Sequence, residues 1–163
     1  GEAAAARATR PLERALRSAA EAVALSGRCN DRGLVAIARF VRAQLLSGTG
    51  RFEEAGRTAE EALRWFRKAE DELGEARTLV LQGDVALGLD RRDEARALAE
   101  EAKSLAGRLG ARQAESEASE LLERIAARER VPVAAAVAVP EAEARETTAL
   151  PDSAPAAAAA ASF

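Results

Sequence analysis

Apolar side chains recur along most of the chain at intervals of three, four and seven. Phe52, Ala55, Ala59, Ala62, Leu63 and Phe66 set the pattern; Ala95, Leu98, Ala99, Ala102, Leu105 and Leu109 repeat it, as do Ala114, Ala118, Leu121, Leu122 and Ile125. That spacing gathers them on one face of an α-helix. No stretch inside residues 10–130 shows the strict alternation of a strand. The breaks fall at Ser26-Gly27, at Ser47-Gly48-Thr49-Gly50, from Gly88 to Asp90, and at Gly110. Each follows a helical stretch, where glycine can take the left-handed conformation that closes a helix. Pro11 suits the first turn of the opening helix. The pattern predicts six helices, at 10–26, 31–47, 52–69, 72–88, 92–109 and 112–130. The connections are only a few residues long, so consecutive helices must run antiparallel.

The helices are also copies of one another. Ala15, Ala55 and Ala95 stand 40 residues apart, and the same step joins Ala19, Ala59 and Ala99, then Glu21, Glu61 and Glu101, then Ala22, Ala62 and Ala102. The register persists at Val41, Leu81 and Leu121 and at Leu45, Val85 and Ile125. Columns held over three copies and both helices of a unit mark a repeat architecture. The units fall near 12–51, 52–91 and 92–130, within a helical domain covering 1–130. The first helix is then the second half of a unit whose partner is missing. With Gly1 in place of Met and no Met anywhere, the expectation is a piece of a longer protein.

From Val131 to Phe163 the character changes. Pro132, Pro140, Pro151 and Pro155 interrupt it, an Ala run fills 156–161, and no amphipathic period survives. This composition predicts a disordered tail at 131–163, with at most a transient helical turn at 141–150 or a short helix in the Ala run.

Composition narrows the function. The 24 Lys plus Arg against 27 Asp plus Glu, a net charge of -3, leave no positive excess to neutralise a phosphate backbone, so no direct nucleic-acid partner is expected. There is no His, which removes the commonest neutral-pH base and zinc ligand, and the single Cys forms no internal disulfide. A reducing, cytoplasmic setting is the expectation. Glu2, Glu13 and Glu21 argue against a transit peptide, and the longest apolar run, Val133 to Val139, is too short to span a membrane. About a quarter of the residues are Ala and only 3% are aromatic, a composition for closely packed helices.

Gly50-Arg51-Phe52-Glu53-Glu54-Ala55, with Ala62 seven residues on, resembles the turn and second-helix signature of the tetratricopeptide repeat family. Arg92-Asp93-Glu94-Ala95 with Ala102 repeats it without the aromatic residue. Ala43 and Gly83 match the family's small residue in the first helix, where small side chains let helix backbones approach. The period of 40 exceeds the family's usual ~34. The first-helix Trp and large aromatic are replaced by Leu, Val or Arg, and the closing Pro is absent. The likeness is therefore to the long-repeat bacterial variety. HEAT-type repeats share the longer period but not this turn. The resemblance implies an all-α, right-handed α-solenoid of antiparallel helix pairs.

Such stacks curve, and the first helix of each pair lines the inner wall. The groove-facing candidates are Ile37, Phe40, Val41 and Gln44, then Arg77, Val80, Leu81 and Asp84, then Glu117, Glu120 and Arg124. The Lys/Asn/Arg set with which some family members clamp a terminal carboxylate does not occur at these places. Phe40, Val80 and Leu81 have the competing reading of packing between repeats. The acid pairs Glu53-Glu54, Glu60-Glu61 and Glu100-Glu101 read as solvated faces beside Arg57 or Arg64 rather than acid/base or metal sites. Cys29 reads as inert despite Arg28 and Arg32 nearby. Phe66 belongs to the core, and Trp65 either packs between repeats or offers a contact site. No catalytic residue, metal or cofactor is expected.

The sequence thus describes a protein-interaction module that binds a peptide or partner domain, within or beside a bacterial regulatory or signalling protein. The Arg/Ala/Glu-rich, Lys-poor composition fits a GC-rich bacterial genome. The alternative is a structural spacer or self-association arm without an external ligand, which leaves a homo-oligomer open.

Overall fold

The computed structural model describes residues 2–131, with side chains placed from residue 10 onward. The expected tail lies, apart from Val131, outside the described residues. Six helices make up the described chain: α1 (Glu2–Ser26), α2 (Arg32–Gly48), α3 (Phe52–Ala69), α4 (Glu72–Gly88), α5 (Arg92–Leu109) and α6 (Arg112–Arg130).

Local chemistry places most of the boundaries. Asp31 and Asp71 cap α2 and α4 through their carboxylates, which accept hydrogen bonds from the Leu34 and Gly74 amides at 3.1 and 2.9 Å. Gly110 closes α5 in the left-handed region, at φ 66°. Two expectations need correction. Pro11 lies inside α1 instead of in its first turn. The helix begins at Glu2 because the Ala-rich stretch before Pro11 is a strong helix former, and the proline removes only the bond its N–H would have made. At the end of α4 the left-handed residue is Asp90, at φ 58°, not a glycine. Gly88 is small for another reason: a Cβ there would come within 2.6 Å of the Phe52 ring. Glu70 closes α3 in the same left-handed conformation, at φ 56°.

Each helix packs on the next, and α2 also meets α4, as α4 meets α6. Among the described residues, α1, α3 and α5 do not touch one another. The helices α2, α4 and α6 therefore crowd along one side, while the others splay along the opposite side. This is a curved stack with its first helices on the inner wall.

The core follows the repeat-phased alanines. Ala55, Ala59, Ala62, Ala95, Ala99 and Ala102 are fully buried, and the small side chains bring the paired helices together. Larger groups fill the spaces between hairpins: Leu46, Leu79, Leu121 and Ile125 are almost wholly buried, each contributing about 1.5–3 kcal/mol. Phe40 and Phe66 meet edge to face with ring centroids 6.2 Å apart. Thr58 and Thr78, the buried hydroxyls of α3 and α4, donate to the Glu54 and Gly74 carbonyls one turn back, so neither is orphaned.

Candidate interaction groove

Residues 37, 40 and 44 are spaced three and four apart, so they share one stripe of α2. The 40-residue step carries the same stripe to 77, 80 and 84 on α4 and to 117, 120 and 124 on α6. Because the three helices lie side by side, the stripes form tiers across the inner wall. They enclose an open cavity of about 300 Å³, lined by Phe40, Gln44, Arg77, Val80, Leu81, Asp84, Glu117, Glu120 and Arg124.

Its floor and rim differ in kind. Phe40, Val80 and Leu81 are buried; they hold the helices together and show only their edges to the cavity. The rim is polar. Arg77 lays its guanidinium 5.6 Å from the centre of the Phe40 ring, a cation–π contact that steadies the side chain without neutralising it. Arg124 reaches back one repeat to pair with Asp84. Glu117 accepts a hydrogen bond from the Gln113 amide at 3.1 Å, and Glu120 one from the Ser116 hydroxyl at 3.3 Å. The groove thus offers cationic and anionic hydrogen-bonding groups around an apolar floor.

Two expected members of the groove are elsewhere. Ile37 and Val41 do not line the cavity and are exposed. Ile37 shares the α2 stripe with Phe40 and Gln44 but lies outside the cavity lining, as Val41 does.

Three of the six paired acids form ion pairs, all with arginines other than Arg57 and Arg64, although the Arg57 charge also acts on Glu54. Glu54 is held by Arg51 at 2.6 Å, Glu61 by Arg39 at 3.2 Å, and Glu53 by Arg91 at 3.5 Å. Neighbouring turns and helices supply these arginines, whereas Arg57 and Arg64 share the helix of the acids. The hydrogen bond from Arg51 holds the Glu54 carboxyl below its usual range. Trp65 is half-buried against the α2–α3 core, with Arg39 and Lys68 at 5.5 and 4.6 Å from its ring. Cys29 is exposed and free.

A second cavity of about 300 Å³ opens on the splayed side, between α3, α4 and α5. It went unanticipated although a signal was present. Gly56 stands where the repeat register has Leu16 and Arg96, and its missing side chain leaves room beside Phe52, Val85 and Leu98.

Antiparallel helical hairpins whose first helices touch in series form an α-solenoid, a scaffold that presents an extended surface instead of an enclosed pocket. The tetratricopeptide repeat family model matches residues 34–108, the stretch from α2 to α5. Members of the family generally mediate protein–protein interaction and are non-enzymatic scaffolds. A comparison with curated proteins found no match. No described helix is long and apolar enough to cross a membrane.

Proposed function

We propose that the inner groove formed by α2, α4 and α6 binds a peptide segment or an exposed element of a partner domain, and that the chain serves a bacterial regulatory or signalling protein in the cytoplasm. The observation that carries this reading is the open cavity of about 300 Å³ with unlike charges on its rim and apolar edges on its floor. Phe40 and Val80 would seat an apolar side chain. Gln44, Arg77, Asp84, Glu117 and Arg124 would read polar groups on either side. Mixed charge suits a polar peptide with an apolar anchor better than a uniformly charged polymer.

Arg77→Glu tests it. Arg77 is exposed and makes no ion pair among the described residues, so the variant should keep its helicity and melting temperature while losing partners that cross-link to the wild-type groove. An unchanged set of groove cross-links in the reversed-charge protein would sink the reading.

The burial of Phe40, Val80 and Leu81 favours a second reading, the spacer or self-association arm. In that case charge reversal on the rim leaves every association unchanged, and dilution alone governs any dimer.

A further inference from the structure

Five charged side chains line the inner groove, and their charges are spread unevenly across it. Arg124 of α6 and Asp84 of α4 pair with each other and cancel. The other three meet only neutral groups among the described residues. Arg77 of α4 lies over the Phe40 ring, Glu117 of α6 accepts from the Gln113 amide, and Glu120 of α6 accepts from the Ser116 hydroxyl. One guanidinium in the middle of the wall and two carboxylates on its α6 side are thus left without an opposite charge.

The repeat register lays out this gradient. Positions 40, 80 and 120 hold Phe, Val and Glu, and positions 77 and 117 hold Arg and Glu. From α2 through α4 to α6 the cavity lining passes from apolar edges, through Arg77 beside Val80, to two acids. Glu117 is half-buried and Glu120 exposed. They stand three residues apart on one helix, a like-charged pair that repels and that a cation between them would relieve.

We infer that the groove selects a basic segment: an extended peptide with an apolar side chain seated on Phe40 and Val80 and a lysine or arginine held by Glu117 and Glu120. This ligand chemistry presupposes the groove as the binding face proposed above. Packed helices lie about 8–10 Å apart, and an extended backbone advances about 3.3 Å per residue. A segment crossing the wall therefore passes from the α4 tier to the α6 tier in about three residues, which sets the distance from apolar anchor to base. Arg77 keeps the base off the floor. A guanidinium donates and never accepts, so it takes an acceptor oxygen beside the anchor and repels a cation there. An anionic partner would instead bring like charge against α6, which costs affinity.

A random dodecapeptide library displayed on phage, selected on the full chain, tests this. Synthetic copies of the enriched peptides are titrated by fluorescence anisotropy, and amide chemical shifts mark those seated on α2, α4 and α6. Groove-seated peptides should carry Lys or Arg three or four positions from a large apolar residue. Their affinity should fall as salt rises from about 0.05 to about 0.5 M. Glu117→Gln combined with Glu120→Gln removes both charges while keeping acceptor oxygens for Gln113 and Ser116. It should weaken these peptides about tenfold with the melting temperature near wild type. Glu117→Lys combined with Glu120→Lys should select peptides with Asp or Glu in place of the base. Groove-seated peptides without a base at that spacing, or affinities indifferent to the double Gln variant, overturn the proposal and leave the groove standing as a binding face. An absence of any groove-seated peptide overturns both.

Discussion

Leu121 of α6 rests directly on Gly83 of α4: a Cβ on Gly83 would lie 2.6 Å from a terminal methyl of Leu121 and 3.3 Å from the Ala95 carbonyl oxygen. The contact joins two consecutive repeats, and it exists because one partner has no side chain. Leu121 is fully buried and has no free space to retreat into. Gly83→Ala should therefore destabilise the fold by about 1–2 kcal/mol even after the helix-propensity gain of alanine. Gly56→Ala should do the opposite. Its Cβ would meet only a Val85 methyl at 3.5 Å, an ordinary contact, so the lower backbone entropy cost raises stability by about 0.5–1 kcal/mol. Urea unfolding of the two variants gives opposite signs.

Glu70 is a second site where conformation and residue type disagree. Its φ of 56° and ψ of 32° are left-handed, which burdens a residue with a Cβ by about 1 kcal/mol. Glu70→Gly should raise the unfolding midpoint, Glu70→Asn should do so by less, and Glu70→Val should lower it. A chemical melt of the series checks the ranking.

The Arg51–Glu54 pair makes a pH prediction. The carboxyl is held below its usual value of 4.5 chiefly by the hydrogen bond from Arg51. A depressed folded-state value means a contribution that is present above 4.5 and lost as the pH falls through the lower, folded-state value. Glu54→Gln should thus be less stable than wild type at pH 7, and the difference should vanish in acid. Parallel thermal melts at pH 7 and pH 2.5 measure it.

In the groove pair Arg124 is exposed and Asp84 half-buried at the surface, and such solvent-accessible ion pairs contribute less than about 1 kcal/mol. A double-mutant cycle with alanine at both positions should return a coupling energy within that bound. The rim can then be recoded without unfolding the scaffold.

How far these features were legible depends on whether they are local or between repeats. The Gly50-Arg51-Phe52 turn and the phased Ala55, Ala59 and Ala62 could be read because each expresses a local rule, a left-handed closure or a helix face. The stripe through Phe40, Val80 and Gln44 was legible because a fixed period projects a face from one repeat onto the next. Ile37 and Val41 obey that same period. Their exposure depends on whether a neighbour lies beside α2, and periodicity carries no information about neighbours. Gly88 looked like a helix stop, but its cause is the Phe52 ring from the previous hairpin, 36 residues away in sequence. Glu70 takes the left-handed position that closes α3, where the amides of Glu70 and Asp71 donate to the Arg67 and Phe66 carbonyls; that position usually falls to glycine, so the residue type gave no signal. Pro11 misled for a related reason: the residues upstream of it can form a helix themselves, and one missing hydrogen bond is a small cost against that.

The alanine columns have a mechanical consequence. Fully buried alanines have no side-chain torsion beyond a methyl rotation, so the joints at Ala55, Ala59 and Ala62 and at Ala95, Ala99 and Ala102 cannot absorb load by switching rotamers. A close-packed interior passes strain on. A torque on α3 should therefore pass through α4 to α5 with little local yielding.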